Sequence, residues 1–223
     1  MVDTQGQPAL LPPLRREMLW DGSSILGMLP PVNRLRIWTA HRGRRRRIER
    51  RKRAAGPIQP IGSATGQCHV RGRAHVLRPA DREPPVAAGA LLTRQRRGDS
   101  ANVEVIKDGR PVMTTVSRHY MEERSACGRF AVIDDTGVAI VDDAAFEIWS
   151  LGISFAATDD VTVAVRDGDT VEVIGPAERG PAPDVRDIPG HVPVDEGYRD
   201  RAPRALLFDG SAQNRVLILA PLR

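Results

Sequence analysis

From Gln67 to Val76 the chain reads QCHVRGRAHV, with Cys68, Val70, Ala74 and Val76 recurring around Gly72. That alternation predicts a half-buried strand, with these four residues sharing one face or flanking a bulge at Gly72. After a Pro-rich turn (Pro79 to Pro85), Ala90 to Arg96 reads as a second strand. Val103 to Ile106 and Val112 to Val116 flank Lys107-Asp108-Gly109-Arg110, and the Asp-Gly pair predicts a hairpin because both residues tolerate positive φ. The clearest passage is Gly128-Arg129-Phe130-Ala131-Val132-Ile133, a turn at Asp134-Asp135-Thr136-Gly137, and a return over Val138 to Val141. Aspartate caps such turns, and Gly137 is expected to supply an unusual backbone angle. A short helix is predicted from Asp142-Asp143, with Ala145, Ile148 and Trp149 facing inward. Val161 to Val165 and Thr170 to Ile174 enclose Arg166-Asp167-Gly168-Asp169 as a second hairpin-like unit. The Pro-, Gly- and Asp-rich stretch 175–203 reads as a surface excursion, and Ala205 to Phe208 with Arg215 to Leu219 as a closing hairpin through Asp209-Gly210-Ser211. About eight to ten short antiparallel strands argue for a mostly β protein, an OB-like or other small β-barrel or sandwich with one or two short helices.

Ahead of this domain, placed at 63–223, the pattern changes. Residues 1–33 mix Pro, Gly and scattered apolar residues without a sustained period and read as flexible. Residues 34–53 read as a basic helix, since apart from Gly43 nothing blocks one before Gly56-Pro57; 54–62 form a linker. The helix has too little apolar surface to bury, so it is expected to project into solvent or to lie on an acidic surface.

Composition sharpens that division. Of 223 residues, 33 are Lys or Arg and 28 Asp or Glu, but residues 1–53 hold 13 of the former and 4 of the latter, a charge of +9. The remainder, 20 against 24, is −4, so the high isoelectric point belongs to the arm. Aromatics at 4% with 20 Gly and 18 Pro imply a core of Val, Ile, Leu and Ala broken by many turns. The two cysteines, Cys68 and Cys127, exclude a disulfide framework; two thiols are the expected state, with one bridge as the alternative. The uncharged stretch from Ala54 to Val70 contains Pro57, Pro60 and several polar residues and is no membrane span. The start shows no basic region followed by an apolar run and a cleavage site, so a cytoplasmic chain is expected.

GRFAVIDDTGVAIVDDAAFEIW, then VRDGDTVEVIGPAER, then GYRDRAPRALLF and NRVLILA, resemble the GIDE-type or "beside-a-membrane" domain. That domain occurs in membrane-anchored RING ubiquitin ligases and in RING-less bacterial relatives. RRRRIERRKRAAGPIQPI and GQCHVRGRA also look like the basic stretch, Pro-Ile segment and first strand of bacterial members, so the resemblance covers roughly Arg44 to Ala220. It assigns structural roles to Gly72, Phe130, Asp134, Asp135, Thr136, Gly137, Gly168, Asp169 and Gly175. The sequence departs from the family at Leu91-Leu92-Thr93-Arg94, where a Cys and aromatic pair is usual, and it lacks the membrane helices. A RING holds two zinc ions with four Cys or His ligands each, and this chain offers 2 Cys and 5 His.

No catalytic, cofactor-binding or metal-binding constellation is legible. Cys68 and His69 are adjacent and so point to opposite faces of a strand, and the acidic pairs match no alternating calcium loop. The nine cations between Arg42 and Arg53, namely Arg42, Arg44, Arg45, Arg46, Arg47, Arg50, Arg51, Lys52 and Arg53, are the candidate binding residues. They suit an anionic bilayer or nucleic-acid phosphates. The resemblance implies a non-catalytic module with a protein partner, peripheral to the inner membrane surface. The alternative is a nucleic-acid binder using an OB-like barrel plus the arm. Clustering of Arg94, Arg96 and Arg97 would favour the alternative, whereas the scarcity of interleaved aromatics beyond Trp38 weakens it.

Overall fold

A computed structural model describes residues 15–20, 30–80, 87–142, 145–156, 159–182, 185, 188 and 203–223. Most of the stretch expected to be flexible over 1–33, the turn beyond residue 80, the cap at residue 143 and the excursion over 189–202 lie outside these residues. The elements are β1 (Arg15–Trp20), α1 (Pro30–Ala55), β2 (Gly66–Arg78), β3 (Ala90–Lys107), β4 (Arg110–Cys127), β5 (Arg129–Asp134), β6 (Gly137–Asp142), β7 (Phe146–Ser150), β8 (Val161–Val165), β9 (Thr170–Pro181), β10 (Arg204–Phe208) and β11 (Val216–Ala220).

The fold is mostly β, as the strand pattern predicts, and its centre is a closed five-stranded barrel. β2 pairs with β5, β5 with β6, β6 with β10, β10 with β9, and β9 returns to β2. All these pairs are antiparallel except β6 with β10. β9 closes the ring by its length: Thr170 to Ala177 lie against β2, and Ala177 to Pro181 against β10. β11 and then β7 extend the sheet beyond β9, with β7 parallel to β11.

The chain divides into two units. Residues 47–92, 125–154 and 162–223 form the barrel unit. Phe130, Val132, Ala139, Val141, Leu206 and Phe208 turn to one buried cluster with Val70, Val171 and Val173. The alternate residues Ala131, Val138, Ile140 and Ala205 turn to a second, completed by Ala182, Val185 and Ile188. This stretch of wall is therefore buried on both faces, which explains why its strands read as unbroken apolar runs. Burying each Val or Ile contributes about 1.5–3 kcal/mol.

Residues 1–46, 93–124 and 155–161 form the other unit. There β1 pairs antiparallel with β4, Arg15 opposite Glu123, so part of the region read as flexible is a strand. The Asp108-Gly109 turn forms as expected, with φ of 51° and 74°. Its strands are longer than predicted, because the polar stretch between Arg96 and Val103 continues β3 instead of breaking it.

Several expectations are corrected. α1 begins at Pro30, because Pro30 and Pro31 occupy a first turn whose N–H groups have no intrahelical partner. Residues 146–150 are a strand, not a helix: Phe146 to Ser150 run in register with Val216 to Ala220. β10 and β11 form no closing hairpin, since each pairs with β9 over a different length. β8 and β9 belong to different sheets, so Arg166 to Asp169 is a corner, with Gly168 at φ 79° and Arg166 N–H donating to Asp169 Oδ2 at 2.9 Å. The start of the excursion carries core residues, and the linker carries the fully buried Ile61. Gly137 is not among the residues with positive φ.

Gly72 is required by close approach. A Cβ there would stand 2.3 Å from the Ile133 carbonyl oxygen, which is backbone and cannot swing aside. Gly72→Ala is expected to cost about 2–3 kcal/mol in urea denaturation. Gly137→Ala, whose Cβ meets nothing nearer than 3.5 Å, should stay within about 0.5 kcal/mol of the parent.

Candidate functional site

α1 is built from strong helix formers, Arg, Lys, Ala and Glu. It ends where Gly56 takes φ 76°, with Pro57 behind it. Its basic last turn complements the helix dipole. On this scaffold the nine candidate cations divide into two faces.

One face is neutralised. Arg44 donates both guanidinium arms to Glu123, at 2.9 and 2.8 Å. Arg47 meets Glu147 at 2.9 Å, and Arg51 lies 3.9 Å from the same carboxylate and also donates to the Arg215 carbonyl. Lys52 sits 3.1 Å from Glu172. Ile48 and Ala55 are buried on this side. The other face carries Arg42, Arg46, Arg50 and Arg53, spaced by four, four and three residues, with Arg45 at its margin and Glu49 among them. All five cations are exposed. Arg42 stacks over Trp38, 4.9 Å from the ring centroid.

The densest ionisable group lies where α1 ends. Glu172, a lone acid inside the apolar run Val171 to Ile174, is 6% exposed, and His69 is 5% exposed. His69 Nε2 is 3.3 Å from Glu172 Oε2, its Nδ1 is 3.2 Å from the Gly56 carbonyl oxygen, and Arg71 approaches the other Glu172 oxygen at 4.0 Å. The hydrogen bond from His69, then Lys52, holds the Glu172 carboxyl down to about 2 against the opposing effect of burial. Sequence reasoning missed this group, although an acid interrupting an apolar strand was a signal for it. Cys68, the neighbour of His69, points the other way into the core, with Sγ 3.7 Å from the Gly175 carbonyl oxygen. Burial pushes this thiol up to about 11. Both cysteines are free thiols.

In the other unit, His41 packs edge-on against Phe155, with ring centroids 5.3 Å apart. Burial first, then Arg94, Arg44 and Arg45, lower its pKa to about 4.

The motif residues hold local geometry. Asp134 Oδ1 accepts from Thr136 N–H and Gly137 N–H, at 2.8 and 2.9 Å. Asp134 Oδ2 accepts Ile61 N–H at 2.9 Å, and Thr136 Oγ1 accepts Gly62 N–H at 2.8 Å. The turn thereby clamps the linker, while Asp135 is exposed. Phe130 is fully buried. Asp169 takes Arg223 at 2.6 Å, and a Cβ on Gly175 would press on Val216 at 3.3 Å. Arg94 is buried, whereas Arg96 and Arg97 are exposed and Arg97 meets Glu122 at 3.3 Å. Among the described residues, no three His, Cys, Asp or Glu side chains are grouped to hold a metal ion, and no helix is long and apolar enough to cross a membrane.

Two pH dependences follow. Glu172 is held below its ordinary 4.5, so its stabilisation, of the order of 3 kcal/mol, is present above that pH and lost as pH falls toward 2. Glu172→Gln should lower the melting temperature at pH 7 and erase the difference from the parent at pH 2. His41 is held below its ordinary 6.5, so the unfolded chain takes up its proton first and stability declines as pH falls from 6.5 through 4. His41→Phe, which keeps a ring against Phe155, should flatten that decline in melting curves followed by circular dichroism. Comparison with protein-family models, curated proteins and solved structures finds no match to this chain.

Proposed function

We propose that the chain is a non-catalytic interaction module, resembling the GIDE-type domain without a RING, that docks on the anionic cytoplasmic membrane surface through the exposed face of α1. The observation that carries this reading is the division of the basic run. Arg44, Arg47, Arg51 and Lys52 meet carboxylates of the protein itself, while Arg42, Arg45 and Arg53 are exposed along the same helix. A solubilising tail needs no such sorting. Each cation near an anionic leaflet contributes about 1 kcal/mol, screened by salt, so these three support reversible binding. A protein partner for the barrel belongs to the same reading.

The nucleic-acid alternative draws on the barrel. Taken in chain order its strands close as first, second, third, fifth, fourth, with the third and fifth parallel, an arrangement that supports an OB-like description. Against it, Arg94 is buried and Arg97 is engaged by Glu122, so the three arginines present no common exposed strip. Among the described residues one exposed aromatic, Trp38, accompanies the arm's cations, which offers little base stacking.

Co-sedimentation with phosphatidylcholine vesicles, with and without phosphatidylserine, decides between them. The full chain should pellet with the anionic vesicles only, and duplex or single-stranded DNA should not displace it. Combined Arg42→Gln, Arg45→Gln and Arg53→Gln should weaken binding by about a hundredfold at low salt. Equal binding to neutral vesicles, or displacement by DNA, would overturn the membrane reading.

A further inference from the structure

His69 touches two groups that can only accept. Its Nδ1 faces the Gly56 carbonyl oxygen at 3.2 Å and its Nε2 faces Glu172 Oε2 at 3.3 Å. A carbonyl oxygen has no hydrogen to give, and neither has an ionised carboxylate. Glu172 is kept ionised down to about pH 2. A neutral imidazole donates through one nitrogen and presents a lone pair at the other, so it can satisfy one of these partners and must oppose the second. Burial removes water as a substitute, since His69 and Glu172 are 5% and 6% exposed.

The place gives this arrangement a consequence. Gly56 terminates α1, with Gly56 N–H donating to the Arg53 carbonyl at 3.2 Å. The backbone holds the same point once more, through Gln59 N–H to the His69 carbonyl at 2.7 Å. The charged groups facing the ring are Glu172 from β9, Lys52 from α1 at 3.1 Å from the shared oxygen, and Arg71 from β2. Lys52 can keep Glu172 occupied without the histidine, whereas the described contacts of the Gly56 carbonyl offer no such second donor.

We propose that His69 is a proton-dependent latch that fastens the end of α1 to the barrel wall, closed while both ring nitrogens carry hydrogen and opened at the Gly56 contact when one is lost. Acid closes the latch and base opens it, because opening is the loss of a ring proton. It goes beyond the membrane reading and does not depend on it, because it concerns how α1 is held and not what α1 meets.

The test uses the full chain without vesicles. With ¹⁵N-labelled histidine, the His69 ring signals show at which pH both nitrogens carry hydrogen and at which one has lost it. Hydrogen exchange of the amides from Arg53 to Gln59, corrected for the intrinsic pH dependence, should quicken about tenfold across that ring deprotonation, the loss of one charge-assisted hydrogen bond. His69→Gln, which does not titrate, should abolish that change. A ring with one bare nitrogen at every pH at which the chain stays folded would overturn the latch, as would exchange that does not quicken when the ring proton is lost, or an undiminished change in the variant. The ring signals need no substitution, so the inference stays testable if His69→Gln fails to fold.

Discussion

A helix with nine cations in twelve residues can lie along a protein surface only where that surface supplies carboxylates. Glu147 and Glu172 supply them in the barrel unit, and Glu123 supplies one to Arg44 in the other. Exposed ion pairs contribute little, about 0–1 kcal/mol each, but Glu172 is buried, and a buried carboxylate is tolerated only when its oxygens are engaged. Lys52, His69 and Arg71 meet that need together. The stability of the β9 wall and the placement of the helix end are therefore one requirement. Lys52 comes from the helix and Glu172 from the wall, which is why the last turn of α1 is part of the barrel unit and not an appendage to it.

The segment between helix and barrel follows the same logic with neutral groups. Asp134 and Thr136 satisfy the N–H groups of Ile61 and Gly62, and Arg179 takes the Ile61 carbonyl at 2.5 Å. Ile61 can then sit fully buried without orphaned backbone. The β5–β6 turn is thus a clamp whose aspartate serves its own turn with one oxygen and a distant segment with the other. The aspartate, threonine and glycine of the motif follow from that double duty, although Gly137 serves by bringing its N–H to Asp134 and not by a special backbone angle.

What could be read from the sequence was what short-range physics decides. The β5–β6 pair, the Asp108-Gly109 turn and the basic helix are set by apolar runs, a turn pair that tolerates positive φ, and helix-forming residues. What could not be read was decided by partners distant in the chain. Phe146 to Ser150 carries an inward-facing set that also suits a helix, and pairing with β11, some 70 residues later, makes it a strand. β10 and β11 look like a hairpin because they are close in sequence, yet β9 is long enough to take both. At the candidate site the cations were legible, but their division into two faces was not, since it needs the positions of Glu123, Glu147 and Glu172.

That division also changes the meaning of the charge asymmetry. A charge of +9 ahead of residue 54 and −4 behind it suggests an arm and a domain with separate tasks. In the barrel unit the two signs meet instead, because acids contributed by β7 and β9 lie under the last turns of α1. Part of the acidic excess is thereby internal to the fold and does not describe the surface a ligand would meet. Holding the last turns of α1 against these acids also fixes the cations that those turns carry. Fixing the cations costs rotational freedom once, on folding, so an anionic surface would meet a pre-formed array and would not have to order a coil. A loose basic tail of the same composition would carry the same charge without that advantage.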